Sequence, residues 1–136
     1  MKPTTDDHGF VAIEWVAAVG LLLLPVVVLV ATLPVWAERR HAASVAAREA
    51  AREVVREWPE IDPAQATLVA REVVAAHGID ASDISVRFPS PDGSRGSIAR
   101  VEVDVVMPAI AVMGVRAGTW HYVAVGTRRI DDYRSR

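Results

Sequence analysis

The sequence predicts an α+β protein that is anchored in a membrane by one long N-terminal helix, which continues into a small soluble domain. A single acid, Glu14, is followed by an uncharged stretch, residues 15–37. Beyond it, apolar residues recur at helical spacing, and after Gly78 their period changes from about 3.6 to 2. These observations predict a second helix and about three antiparallel strands in the soluble domain.

The uncharged stretch is long enough to cross a membrane. As a helix its 23 residues would extend roughly 35 Å, whereas the hydrocarbon core of a bilayer is about 30 Å thick. Pro25 and Pro34 predict two ordinary kinks, which membrane helices tolerate. A cleavable secretory signal fits poorly, because the apolar run is too long and Lys2 is accompanied by two aspartates. We therefore expect a transmembrane segment over about 15–37.

The helix is expected to continue past the membrane face. Residues 38–57 are rich in Ala, Arg and Glu, which favour helix. An apolar stripe at helical spacing would dock on the domain: Ala47, Ala51, Val54, Val55 and Trp58. Because Pro59 disfavours helix at the residue before it, the long helix is predicted over about 10–57, within a segment 10–58.

The remaining segment, 59–136, is predicted to be the small extracytoplasmic α+β domain. Asp62 as N-cap, Pro63 at the first position and Gly78 as the stop predict a helix over 63–77. Alternating apolar residues predict strands over 84–88 and 99–105, separated by a turn-forming loop at 90–97.

The end of the chain predicts one more strand. Pro108 is expected to end the second strand, and a glycine-punctuated apolar connection, 109–118, to follow it. Residues 119–127 then alternate but are apolar on both faces, so the third strand is either central or an edge strand covered by the helices. No internal repeat is present.

Composition and charge exclude several classes of function. Residues 38–136 contain 14 arginines and 14 acidic residues. The domain therefore has no excess positive charge, and no direct nucleic-acid binding is expected. Since the chain contains no cysteine, a disulfide framework, a thiolate nucleophile and a cysteine-based zinc site are excluded.

No catalytic, metal or cofactor site is expected either. The histidines at 8, 41, 77 and 121 lack metal-ligand spacing, and His77 is expected at a helix C-terminus. Asp131 and Asp132 adjoin arginines in a solvated tail. The sequence offers no set of nucleophile, base and orienting partner, so an enzyme is not expected.

The most specific motif lies at the start of the apolar segment. Gly9 precedes Phe10, and Glu14 follows Phe10 by four residues. This motif resembles the processing site of type IV pilins and pseudopilins. The resemblance implies that a prepilin peptidase removes the leader, residues 1–9, that Phe10 becomes the N-methylated mature terminus, and that Glu14 acts in subunit assembly.

The rest of the chain resembles the TadE-like minor pilins or pseudopilins of tight-adherence (Flp-type) pilus systems. The likeness lies in a long N-terminal helix, a small α+β domain without cysteines, and the closing run Arg129 to Arg134. It implies a structural subunit of a pilus or related secretion filament. The implied partners are the prepilin peptidase, other pilin subunits, a membrane assembly platform and membrane lipid.

Physical chemistry explains why those residue types stand in the motif. A glycine before the scissile bond lets the peptidase approach the backbone closely. A carboxylate in an apolar helix is costly unless it is paired. In a filament the natural cation for Glu14 is the N-terminal amine of a neighbouring subunit, and such a pair favours one register.

Two alternatives remain at the level of the sequence. Glu14 could be an interfacial acid of a plain signal anchor with Gly9 incidental, which would make the chain an unprocessed single-pass anchor for a binding domain. Lys2, Arg39 and Arg40 by themselves also predict a cytoplasmic C-terminus, whereas the motif predicts the opposite orientation. The sequence leaves open whether a filament would serve adhesion, DNA uptake or secretion, and where in it the subunit would lie.

Overall fold

The structure, a computed structural model, describes the backbone of residues 7–56, 60, 62–90 and 96–130, and their side chains from Ile13 onward except that of Ser90. The elements are α1 (Asp7–Arg56), α2 (Pro63–Ala76), a 3-10 helix (Ala81–Asp83), β1 (Ile84–Ser90), β2 (Ile98–Val112) and β3 (Val115–Arg129). The predicted α+β class is confirmed, and α1 is long and apolar enough to cross a membrane. Several predicted features lie outside the described residues: Trp58, Pro59, most of the 90–97 loop, Asp131 and Asp132.

The two halves of α1 have opposite surroundings. In the N-terminal half, the most apolar 18-residue window is only 6% buried, and the helix continues through both Pro25 and Pro34. In the C-terminal half, one face of small residues is fully buried against the rest of the domain: Ala42, Ala43, Ala46, Ala47, Ala50 and Ala51. The first half therefore exposes the apolar surface that a membrane-spanning helix presents to lipid.

The second helix matches its predicted punctuation to within one residue. The Asp62 carboxylate accepts a hydrogen bond from the Ala64 amide at 2.8 Å and so caps the N-terminus. His77 is the C-cap, and Gly78 follows with a φ of 69°. The helix packs beside α1 through a buried stripe: Ala66, Ala70 and Val74.

The three strands form one antiparallel sheet in the order β1-β2-β3. β2 is the central strand, and its inward side chains form the core beneath α1: Val101, Val103, Val105 and Met107. β3 is an edge strand, which decides between the two positions that its sequence allowed. Its Tyr122 and Ala124 lie across from Val105 and Val103, on the same face.

The prediction that Pro108 ends the second strand is wrong. β2 runs on to Val112, turns at Met113 and Gly114, and returns as β3, so that the expected 109–118 connection is instead the distal half of a β-hairpin. Proline is tolerated because pairing with β1 has already stopped at Val105. The Pro108 carbonyl faces away from β3 and accepts from Trp36, so the missing N–H falls on a free edge of the strand.

The sheet and α1 lie very close together at Gly126. A Cβ atom built on this residue would lie 2.0 Å from the carbonyl oxygen of Ala47, which is part of the α1 backbone. No side chain fits in that space, so glycine permits the helix backbone to rest directly on the sheet. Gly126 thereby sets the spacing of the two layers.

Candidate assembly site and the contact between helix and hairpin

The predicted processing site lies within the described part of α1. The helix is described from Asp7 onward, so the bond between Gly9 and Phe10 has helical backbone geometry. The structure thus places Gly9, Phe10 and Glu14 on one continuous helix.

Glu14 lies one turn after Phe10 on the exposed half of α1. Its neighbours Ile13 and Trp15 are about 70% exposed, at 72% and 70%. Among the residues that the structure describes, none forms an ion pair or hydrogen bond with the Glu14 carboxylate. The carboxylate thus stands at one end of an apolar surface, unpaired within its own chain, where an apolar environment favours pairing with a cation.

A second cluster, which we call the helix–hairpin contact, was not predicted from the sequence. Three α1 side chains bind backbone atoms of β2 on the stretch that follows its last pair with β1. They lie at helical spacing: Thr32, Trp36 and Arg39. Trp36 Nε1 donates to the Pro108 carbonyl at 2.6 Å, and a guanidinium nitrogen of Arg39 donates to the Val106 carbonyl. These side chains satisfy an edge that would otherwise be open.

Thr32 extends the contact into the apolar stretch. Its hydroxyl oxygen accepts a hydrogen bond from the Ala111 amide at 3.1 Å and lies 3.4 Å from the Ala111 carbonyl oxygen. The same hydroxyl is 2.7 Å from the Val28 carbonyl oxygen, one turn earlier in α1. Thr32 is buried although it belongs to the predicted span, so the hairpin lies alongside the last part of that span.

Arg39 also joins the hairpin to the segment before β1. Its guanidinium forms a 3.0 Å ion pair with Asp83, and the Arg39 side chain is only 5% exposed. The preceding turn is closed by Asp80, whose carboxylate accepts from the Ser82 amide and hydroxyl, both at 2.8 Å. Those bonds hold the pKa of Asp80 below its ordinary value of 3.8. Their contribution to stability is fully present above that value and is lost as the pH falls through the lowered pKa of folded Asp80.

Aromatic side chains flank the same contact. Trp36 and Trp120 pack edge to face with ring centroids 5.9 Å apart. One turn after Trp36, the Arg40 guanidinium lies 5.1 Å above the Tyr122 ring, a cation–π arrangement. Both arginines that follow the apolar stretch are therefore engaged by the folded domain.

The structure brings two of the histidines together although they lie far apart in the sequence. His41 and His77 meet edge to face, with ring centroids 5.8 Å apart, and His121 Nδ1 lies 2.9 Å from an Asp104 oxygen on the outer face of the sheet. Within the described part of the chain, no three His, Asp or Glu side chains come together as metal ligands would. The prediction that His77 lies at a helix C-terminus is confirmed.

Two shallow clefts are present among the described residues. One of about 190 Å³ lies between α1 and the end of β3, at Arg48, Arg52 and Arg128. The other, of about 220 Å³, lies beside the Arg39–Asp83 ion pair and includes Arg116. Both are smaller than typical small-molecule sites of about 300–1,000 Å³.

Replacing Arg39 with methionine tests whether the helix–hairpin contact holds the domain together. Methionine keeps the apolar stem but leaves the Val106 carbonyl without its donor and Asp83 without its cation. We expect the free energy of unfolding to fall by about 2–4 kcal/mol. The measurement is urea unfolding of the full chain in detergent, followed by near-UV circular dichroism.

Arg52→Met is the matched control for that substitution. Arg52 lies on the same helix, but its side chain is 68% exposed and its distance to Glu49 is 3.8 Å. Because exposed pairs contribute about 0–1 kcal/mol, this variant should unfold almost as the wild type does. Equal losses in both variants would contradict a special role for Arg39.

The polar positions of this contact carried a signal that sequence reasoning missed. Thr32, Trp36 and Arg39 are the hydrogen-bonding side chains at i, i+4 and i+7 along one face of an apolar helix. That spacing indicates a partner for one face of the helix but does not identify which backbone it binds.

Comparison with known proteins adds no family to this picture. No protein-family model matches the chain, and no curated protein and no solved structure matches it either. The resemblance to a pilin family thus depends on residues of the chain itself, above all the Gly9–Phe10 bond and Glu14.

Proposed function

We propose that the chain is a structural subunit, a minor pilin or pseudopilin of the TadE-like kind. Its leader, residues 1–9, is removed by a prepilin peptidase, and the new terminus at Phe10 is methylated. It inserts with the leader in the cytoplasm and the domain outside, and is then used in assembly of a tight-adherence type pilus or related secretion filament. Its partners are other pilin subunits, the membrane assembly platform and membrane lipid.

The observation that carries this proposal is the position of Glu14. It is an acid without a partner in its own described chain, one turn from Phe10, on a helix half whose apolar side chains are exposed. An apolar surface of that kind suits two successive environments, which are lipid before assembly and the helices of neighbouring subunits after it. In the second environment a cleaved terminus of a neighbour supplies the cation that the carboxylate needs.

The arginines after the span have a structural role, which weakens the main objection to the proposed orientation. Arg39 is paired with Asp83 and buried, and Arg40 lies over the Tyr122 ring. Their presence thus has a structural reason within the folded domain. Because large domains are translocated largely regardless of charge, these arginines do not by themselves place the domain in the cytoplasm.

The second candidate is a single-pass anchored binding domain that is never processed. The bias of positive charge, with Lys2 before the span and two arginines after it, favours this alternative. In such a protein Glu14 would be an acid at the membrane interface, and its substitution would have no effect on any assembly.

Glu14→Ala and Glu14→Gln separate the two candidates. In cells that hold the cognate peptidase and assembly platform, we expect both variants to mature to a chain beginning at Phe10. Incorporation into sheared filaments should fall at least about 100-fold for both, because breaking a buried ion pair costs about 3–5 kcal/mol. Intact mass reports maturation, and the filament fraction reports assembly.

Glu38→Gln is the control, since Glu38 is an exposed acid of the same helix outside the apolar stretch. It should assemble as the wild type does. Normal incorporation of both Glu14 variants would remove the basis of the subunit proposal, and an uncleaved wild type would favour the anchored binding domain.

A further inference from the structure

The tip of the β2–β3 hairpin, residues 110–115, is unusually apolar for a turn. Met113 is 98% exposed, Val115 68% and Ile110 44%. Met113 and Gly114 both have positive φ, 49° and 83°. Asparagine or aspartate followed by glycine is the usual solution at such a turn, so methionine adds exposed apolar surface where a polar residue fits the backbone better.

The helix–hairpin contact fixes the level of this tip along α1. Successive positions on β2, Val106, Pro108 and Ala111, meet Arg39, Trp36 and Thr32 respectively. β2 therefore runs toward the N-terminus of α1 as it approaches its turn. Thr32 lies five residues before the end of the uncharged stretch at Ala37, which corresponds to about 8 Å along the helix.

The tip thus lies at the same height along α1 as helix side chains that suit contact with lipid. Near Thr32 the helix exposes Leu29 and Leu33, each close to half exposed. The apolar side chains of the tip lie at the same height along α1 as these leucines and extend their apolar surface. Water around both would leave one large apolar patch, which proteins expose chiefly where they contact a partner or a membrane.

Side chains on the domain side of the tip follow the order of a membrane interface. Trp36 and Trp120 form a pair next to the apolar zone, and tryptophan is enriched where hydrocarbon meets headgroups. Beyond them lie Arg39 and Arg40. Arg116 follows Val115 and pairs with Ala111 at the tip itself. Its exposed side chain nevertheless lines the same cleft as Arg39. Long basic side chains can direct their charge from the apolar layer toward phosphates.

We propose that the hairpin tip is a second membrane-contacting element, with lipid as its occupant. Ile110, Met113 and Val115 insert beside α1 into the leaflet on the side of the domain. The α1 span and the tip together hold the sheet at a defined height and rotation on the bilayer. The proposal requires only that α1 crosses a membrane, so it applies with or without processing after Gly9.

Backbone hydrogen bonding limits the depth of this insertion. Groups on the free edge of β2 are bound by Thr32, Trp36 and Arg39, but β3 is the edge strand of the sheet. Backbone groups on its outer edge need water or headgroups, because hydrocarbon cannot satisfy them. The tip is therefore placed in the interfacial layer, with only its side chains reaching the acyl chains.

Because the chain contains no cysteine, single labels test the proposal directly. Met113→Cys is labelled with an environment-sensitive fluorophore, and the full chain is reconstituted at one copy per phosphatidylcholine nanodisc. We expect a blue-shifted emission that is quenched several-fold by lipids with a nitroxide near the headgroup. Aqueous iodide should quench this label only weakly.

Val125→Cys is the matched control, since Val125 is an exposed valine on the outer face of β3, away from the tip. Its label should respond to iodide and not to nitroxide lipid. Near-UV circular dichroism of both labelled proteins should overlay that of the wild type, because neither side chain belongs to the core.

Two results would overturn the proposal. One is iodide quenching at position 113 as strong as at position 125, which would place the tip in water. The other is a shielded label at position 113 only when several chains share one nanodisc, which would make a second copy the occupant. Neither result depends on a peptidase, so both are distinct from a failure of the subunit proposal.

Discussion

Replacing Gly9 with leucine is expected to abolish removal of the first nine residues while leaving membrane insertion unchanged. The peptidase must reach the backbone at the Gly9–Phe10 bond, and a branched side chain at the residue before the cut keeps it away. Displacement of a scissile bond by about 1 Å lowers a rate roughly 100-fold. Leucine is both apolar and a good helix former, so the helix itself should not suffer.

The measurement is the intact mass of the membrane-extracted protein, with and without its co-expressed peptidase. Wild type should begin at Phe10, with or without a methyl group on its amine, only when the peptidase is present. Gly9→Leu should retain Met1 in both conditions.

Gly20→Leu is the matched control, because a Cβ at Gly20 would meet nothing within 4 Å. It makes the same chemical change inside the span and should be processed normally. If Gly9→Leu matured at the wild-type rate, the glycine would be incidental and the resemblance to a pilin processing site would lose its main support.

Replacing Gly126 with alanine is expected to destabilise the domain strongly. The added Cβ would lie 2.0 Å from the Ala47 oxygen and 2.3 Å from its carbonyl carbon. These are backbone atoms of a long helix, so relief requires moving α1 away from the sheet. Overpacking typically costs about 1–3 kcal/mol, and we expect at least about 3 kcal/mol here, with valine preventing folding.

Urea unfolding in detergent, followed by near-UV circular dichroism, measures this loss. Gly20→Ala should leave the unfolding of the domain unchanged. Ala47→Gly should fail to rescue Gly126→Ala, because the clash involves the Ala47 carbonyl and not its methyl group. A rescue, or a loss below about 1 kcal/mol, would mean that the layers can separate without cost.

Local features of this fold could be predicted from neighbouring residues. The uncharged stretch predicted one helix long enough for a membrane, and Asp62, Pro63 and Gly78 predicted α2 because caps act within a few residues. Alternation predicted the inner face of β2. In each case the determining interactions are local or reflect a simple division of apolar from polar surface.

The course of the chain past Pro108 depended on partners that are remote in sequence. Taken alone, a proline after a regular strand predicts its end. In the structure its carbonyl is bound by Trp36, 72 residues earlier, while the pairing of β2 with β1 extends only to Val105. A strand therefore continues where its sequence predicted a connection, because a helix side chain replaces the neighbouring strand.

The sequence by itself determined the long apolar helix, the α+β class and the position of Glu14 one helical turn after Phe10, since these follow from composition and short spacings. Only the tertiary structure decided that Gly126 rests on the Ala47 backbone and that Thr32, Trp36 and Arg39 hold a hairpin beside the span. The contacts of those three side chains with the hairpin join residues 67 to 79 positions apart. The physical reason is that the distance between α1 and the sheet, like the free edge of β2, is defined only once the sheet has formed against α1.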